Sequence, residues 1–276
     1  MKRSIILIGL TALLMAGCHH EKKGFSTHNI SGEQCYQVIF DQEKDPWGID
    51  FGVKASYSLT WPDKGMLSPE AERELMYLCF MDSSATDVKT AIAKWLETPF
   101  SDEDEFDCEK KKVKSIDETG DYSHMTLETT CIEDSVLATF VINSSSSVFG
   151  AAHGMYAVDY LTVDKKTGNA IHLTDLVIDT NLLGEAIAHA IQDLDVNKEI
   201  QECLFVEFRD VDRMPLPSNF VIDTARNDIT VLYGLYEIAP YACGIQEVKL
   251  PIFWLSKHVS LTPYAKRLFG SGCSLE

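Results

Sequence analysis

In the stretch Val53-Lys54-Ala55-Ser56-Tyr57-Ser58-Leu59-Thr60-Trp61, apolar and polar side chains alternate without a fault. A period of two puts every apolar group on one face of a pleated strand, so this stretch can bury itself only within a sheet covered on one side. The same alternation marks residues 33–41, where Tyr36, Val38 and Phe40 share a face. A meander of strands over 106–116, 122–132 and 136–144 follows, with short polar turns between them. Residues 156–164 read as a further strand, 171–173 as an edge, and 218–223, 229–235 and 247–255 as three more.

Helices are separable from these strands. Ser68-Pro69-Glu70 combines a capping hydroxyl, a first-turn proline and an acid near the helix dipole, which predicts a helix to about residue 81. Val88, Ala91, Ile92, Trp95 and Leu96 fall at helical spacing and Pro99 stops them. A third helix over 181–194 buries Leu182, Leu183, Ala186, Ile187, Ala190, Ile191 and Leu194. Residues 256–276 are weakly patterned. The fold class is therefore α+β: an antiparallel sheet with packed helices, of two-layer sandwich type, in two closely packed lobes. We place the lobes at 31–135 and 136–276.

The N-terminus has a different character. Lys2-Arg3 precedes an apolar run, residues 5–15, and Met15-Ala16-Gly17-Cys18 ends it on small residues and a cysteine. This is the pattern of a bacterial lipoprotein signal peptide over residues 1–17, with a diacylglycerol expected on Cys18. The run is short for spanning ~30 Å of hydrocarbon. Residues 18–30, including His19-His20, read as a flexible tether. The expected location is the cell envelope, lipid-anchored outside the cytoplasm, on the periplasmic face of the outer membrane in a Gram-negative cell.

The net charge is −18, or −20 once Lys2 and Arg3 are set aside. Phosphate binding needs clustered Lys and Arg, so nucleic acid is excluded as a partner. Such a field attracts basic proteins and opposes anionic glycans. Asp102-Glu103-Asp104-Glu105 lacks the glycine and terminal acid of a calcium loop and reads as a solvated turn. No cofactor or metal motif occurs.

Eight cysteines fit an oxidising compartment. With Cys18 lipidated, seven remain and one thiol stays unpaired within the chain. Folding the first meander hairpin about Thr119-Gly120 sets Cys108 opposite Cys131 and predicts a disulfide between them. Cys35 and Cys79 are a possible second pair; Cys203, Cys243 and Cys273 are not apportioned by the sequence.

Two glycine-bounded strand ends carry the candidate site. One is Gly150-Ala151-Ala152-His153-Gly154, running on to Met155-Tyr156; the other is Tyr236-Glu237-Ile238-Ala239-Pro240-Tyr241-Ala242-Cys243-Gly244. Tyrosine offers rigid contact area with a polar tip, so Tyr156, Tyr236 and Tyr241 with His153 and Glu237 form a candidate ligand-binding set. The same tyrosines also suit packing of the sheet against a helix, and the sequence leaves both open. His153, oriented by Asp159, Asp175 or Glu237, is the minimum for acid–base hydrolysis, but no nucleophile elbow, zinc motif or phosphate loop accompanies it. The reading is a binder, not an enzyme.

These two stretches resemble the RsiV/PdaC-like superfamily of extracytoplasmic domains. The resemblance extends to Asp164-Lys165-Lys166-Thr167-Gly168, Leu173-Thr174-Asp175-Leu176, Asn219-Phe220 and Val248-Lys249-Leu250-Pro251. It is specific from 136 to 256. The chain departs from the family pattern at Ala151, where glycine is usual, and at Cys243, where alanine is usual; the second departure implies a local disulfide. Neither an anti-sigma segment nor a deacetylase domain is recognised, so signalling and deacetylation are not carried over. The resemblance implies an α+β recognition module, with a basic protein of the lysozyme type as favoured ligand. Peptidoglycan or another envelope polysaccharide is the alternative, and a hydrolase using His153 a third.

Overall fold

The computed structural model of the chain describes residues 24–43, 47–82, 84–97, 108–117 and 121–270. Cys18, His19-His20, Cys273 and the acidic run at 102–105 lie outside them. Among the described residues no helix is long and apolar enough to cross a membrane.

The alternating stretch is β2 (Phe51–Pro62), paired antiparallel with β1 (Thr27–Phe40) from Thr27 opposite Pro62 to Val38 opposite Phe51. Residues 27–30, expected as the end of the tether, thus start the first strand. After β2 the chain forms α1 (Pro69–Phe80) and α2 (Val88–Glu97), then β3 (Cys108–Val113), β4 (Tyr122–Glu133), β5 (Leu137–Ser147) and β6 (Met155–Asp164). The sheet order is β3-β1-β2-β4-β5-β6. Only β2 and β4 run parallel, as two strands joined by a long helical crossover can.

α1 begins as its sequence requires: the Ser68 hydroxyl accepts the Ala71 N–H, and the helix ends at Met81 in left-handed backbone, φ 53°. Asp87 starts α2 in the same way, its carboxylate accepting the N–H groups of Lys89 and Thr90. Leu75, Met76, Cys79 and Phe80 of α1 bury against Leu59, Trp61, Phe140 and Leu161 of the sheet. A buried side chain of this size contributes about 1.5–3 kcal/mol, so α1 is held by its apolar face more than by its cap.

The Cys108–Cys131 disulfide is not formed. β3 pairs with β1, Phe40 opposite Cys108, rather than with β4, whose Cys131 lies opposite Phe140 of β5. Two strands stand between β3 and β4, a span of roughly 14 Å at ~4.8 Å per strand, twice what a disulfide bridges. Cys131 carries a free thiol. So does Cys79, and the Cys35–Cys79 pairing is therefore absent.

The second half comprises α3 (Leu173–Leu176), α4 (Thr180–Asp193), α5 (Lys198–Cys203), β7 (Asn219–Asp223), β8 (Asp228–Tyr233), β9 (Gln246–Pro251), α6 (Ile252–His258) and α7 (Pro263–Phe269). β7-β8-β9 form an antiparallel sheet whose apolar face packs on Leu183, Ile187 and Ile191 of α4 and Leu255 of α6. The strand expected over 247–255 stops at Pro251, where α6 takes over. The edge expected at 171–173 reduces to one bridge, Val163 with Ala170. The lobe boundary at 135/136 falls within the β4–β5 hairpin, so β5 and β6 belong to the first sheet.

The sheets meet edge to edge where β6 faces β7, and Asn219 bonds across that joint. Asn219 accepts the Tyr160 N–H at 3.1 Å and donates to the Val158 carbonyl at 2.6 Å. Its amide stands in for a strand partner along the open edge of β6, satisfying backbone groups that would otherwise be exposed to mispairing.

Candidate functional site

The turn leaving β5 is set by Phe149, whose N–H is held by the Ser123 hydroxyl at 2.8 Å and whose ring stacks on Phe51 at 5.7 Å. Gly150 follows at φ 82°. At Gly154 a side chain is excluded, since a Cβ would lie 2.8 Å from the Ser146 carbonyl oxygen. These constraints deliver His153 and Tyr156 to the surface at the start of β6.

The second loop leaves β8 through a tight turn. The Glu237 carboxylate accepts the Gly234 N–H at 2.8 Å, and Tyr236 takes left-handed backbone, φ 64°. A short 3-10 turn, Tyr241–Cys243, comes next. It is fixed by a disulfide from Cys243 to Cys203, Cα atoms 6.0 Å apart, and by Gln246, whose amide donates to the Cys243 and Gly244 carbonyls. Gly244, φ 70°, lies against Tyr156; a Cβ there would sit 3.0 Å from the phenol oxygen. Cys243 is thus in the local disulfide that its departure from the family pattern implies.

The loops converge. The His153 ring stacks on Tyr241 at 4.0 Å and 23°, and Tyr236 and Tyr156 lie 5.8 and 6.3 Å from Tyr241. The Tyr241 hydroxyl donates to the Gly154 carbonyl at 2.8 Å, tying the second loop to the first. His153 Nδ1 lies 3.0 Å from that same carbonyl, which can only accept, so Nδ1 bears the proton. Nε2 lies 3.3 Å from the Tyr236 hydroxyl. Tyr236 and Tyr156 remain 50% and 40% exposed, and Met155 next to Tyr156 is also exposed, so the aromatic cluster is a surface rather than a core.

Four of the five expected site residues, His153, Tyr156, Tyr236 and Tyr241, are in one cluster. Glu237 is spent on its own turn. None of the three carboxylates proposed to orient His153 reaches it: Asp175 caps α3 through the His172 N–H, Glu237 holds Gly234, and Asp159 lies partly buried in β6, burial raising its carboxyl pKa. Among the described residues no group of three or more His, Cys, Asp or Glu could hold a metal ion.

A groove of about 240 Å³ adjoins the cluster, with Tyr156 and Met155 on one side, Trp95 of α2 at the other, and Thr126, Ser144 and Ser145 among its lining. Sequence reading missed it. The serine run looked only like a strand end, and nothing local shows that α2 brings Trp95 over β4 and β5.

A mixed sheet joined edge to edge to a smaller helix-backed sheet, with two tethered glycine loops at the junction, defines the class of domain. Residues 175–252 match the family described as "Protein of unknown function (DUF3298)". That span contains the Tyr236 loop and Asn219 but not the His153 loop. The fold is that of solved proteins of this family. One, a member from Bacteroides fragilis NCTC 9343, is 18% identical over 91% of this chain and 99% of its own, with a TM-score of 0.55. Another, from Pseudomonas aeruginosa PAO1, is 15% identical over 87% of this chain and 96% of its own, with a TM-score of 0.50. No curated protein matches the chain.

Proposed function

We propose that this chain is a non-enzymatic cell-envelope lipoprotein, anchored through Cys18, whose surface around His153, Tyr156, Tyr236 and Tyr241 recognises an envelope-directed ligand. The observation that carries the reading is the convergence of four rings from two loops distant in sequence into one exposed, hydrogen-bonded cluster. Rigid aromatic rings with polar tips bind at small entropic cost. That His153 is held by a carbonyl and a phenol, with no carboxylate behind it among the described residues, favours a positioning part over acid–base catalysis.

The favoured ligand is a basic protein of the lysozyme type. It rests on the resemblance to the RsiV/PdaC-like superfamily and on the charge of −18, which steers a cationic protein inward. The hydroxyl-lined groove beside Tyr156 favours a second reading, an envelope glycan laid between Tyr156 and Trp95. Titration of the full chain with lysozyme and with purified peptidoglycan glycan, at several salt concentrations, separates them. The proposal expects salt-sensitive lysozyme binding, weakened roughly tenfold or more by Tyr241→Ala. Glycan binding without lysozyme affinity selects the second reading. Turnover of glycan lost only in His153→Ala contradicts the non-enzymatic reading. For the anchor, Cys18→Ser is expected to release the chain from membranes; a variant that still fractionates with them rules the lipoprotein out.

A further inference from the structure

A cleft of about 500 Å³ opens where the end of β6, α3 and the start of α7 meet, lined by residues that the aromatic cluster does not use. This is the size of a small-molecule site. Its apolar side is the ring of Tyr264 with Pro263 and Ile171. Its walls are fixed: the Thr262 hydroxyl donates to the Asp175 carbonyl at 2.6 Å, and the Tyr264 hydroxyl donates to Asp164 at 3.2 Å. Asp164 is further held by the N–H groups of Lys166 and Thr167.

Three polar groups on the lining are left over. Asp175 uses one carboxylate oxygen on the His172 N–H, and its other oxygen, the Asn169 side-chain amide and the Thr174 hydroxyl have no protein partner among the described residues. Two carboxylates line the cleft and no Lys, Arg or His does. Arg267, one turn along α7 from Tyr264, acts on the Tyr264 hydroxyl. An anionic ligand would meet net repulsion here. A ligand that is cationic at one end and hydrocarbon at the other would meet a carboxylate, two neutral hydrogen-bonding groups and an aromatic face.

We propose that this cleft binds a primary alkylammonium group, the nitrogen on Asp175 with Thr174 and Asn169, and the methylene chain against Tyr264, Pro263 and Ile171. A free diamine and a lysine side chain share this chemistry. The site is separate from the aromatic cluster and does not depend on the ligand proposed for it.

The test is a titration of the full chain with cadaverine, Nα-acetyl-lysine amide, pentan-1-ol and pentanoate, followed by NMR at the Asn169 side-chain amide. Both amines are expected to saturate and to shift the Asn169 signal, with the alcohol and the carboxylate inert; the tighter amine identifies the source. Asp175→Asn retains an oxygen for the His172 N–H and is expected to weaken amine binding roughly tenfold or more by removing the charge. Tyr264→Phe keeps the ring and should retain binding. The wild-type Asn169 shift decides the matter even if a variant fails to fold. Absence of saturable amine binding, pentanoate binding as tight as the amines, or shifts at the rings of His153 and Tyr241 in place of Asn169 would overturn the proposal.

Discussion

Tyr236 sits at φ 64°, where a side chain is normally disfavoured, while half of its surface faces solvent and its hydroxyl holds the His153 ring. Left-handed backbone costs a non-glycine residue about 1–2 kcal/mol, so this strain is carried for the ring's position. Stability and binding should therefore separate here. Tyr236→Gly is expected to be about 1 kcal/mol more stable to urea than Tyr236→Ala, although both lose the ring and bind equally poorly. Equal stability of the two variants would remove the strain argument. At this scale the sequence was informative where glycine marked the backbone: Gly150, Gly154 and Gly244 bracket the four rings that meet. It was less informative where chemistry recurs without emphasis. Thr262-Pro263 starts α7 as Ser68-Pro69 starts α1, its hydroxyl accepting the Ala265 N–H, yet it stood in a tail that lacked a clear apolar period.

Among the elements, the hairpin assumed between β3 and β4 failed because neighbours in sequence need not be neighbours in a sheet. β3, with Lys110, Lys111 and Lys112 in succession, suits an edge, and β2, buried over most of its length, takes the interior place beside β4. Alternation identifies a strand but not its partner, so strand existence was legible and sheet order was not. The disulfide that does form, Cys203 to Cys243, closes a 40-residue separation and joins α5 to the site loop. Cys243→Ala should lower stability by about 4 kcal/mol in the chain-entropy model, and Cys131→Ala by far less than that. Denaturant unfolding distinguishes them, and comparable losses would mean that the bridge contributes little. A second link between elements is Asp134. Its carboxylate is partly desolvated, which works to raise its pKa, but bonds from the Thr224 hydroxyl and the Leu137 and Val136 N–H groups prevail and hold it below the usual range. A depressed folded pKa stabilises above the unfolded value of about 3.9, and the benefit is lost as pH falls through the folded one. Asp134→Ala should cost about 1 kcal/mol at neutral pH, with the difference from wild type shrinking below roughly pH 4. A difference independent of pH would place the effect elsewhere.

For the molecule as a whole, two apolar cores, one under α1 and one under α4, are joined where β6 meets β7. The composition and the two hydrophobic periods were enough for the α+β class, because each core needs only a sheet face and a helix stripe. The joint was not legible, since it depends on Asn219 acting as a surrogate strand, and a single amide carries no periodic signal. That joint aligns the His153 loop on one sheet with the Tyr241 loop on the other, which makes the recognition proposed here a property of both halves. The most direct test is hydrogen exchange of the full chain with and without bound lysozyme or, should only the glycan bind, with the glycan. The account predicts slowed exchange in both loops, residues 149–156 and 234–244, together. Protection confined to one loop, or found only at the cleft beside Tyr264, would contradict it.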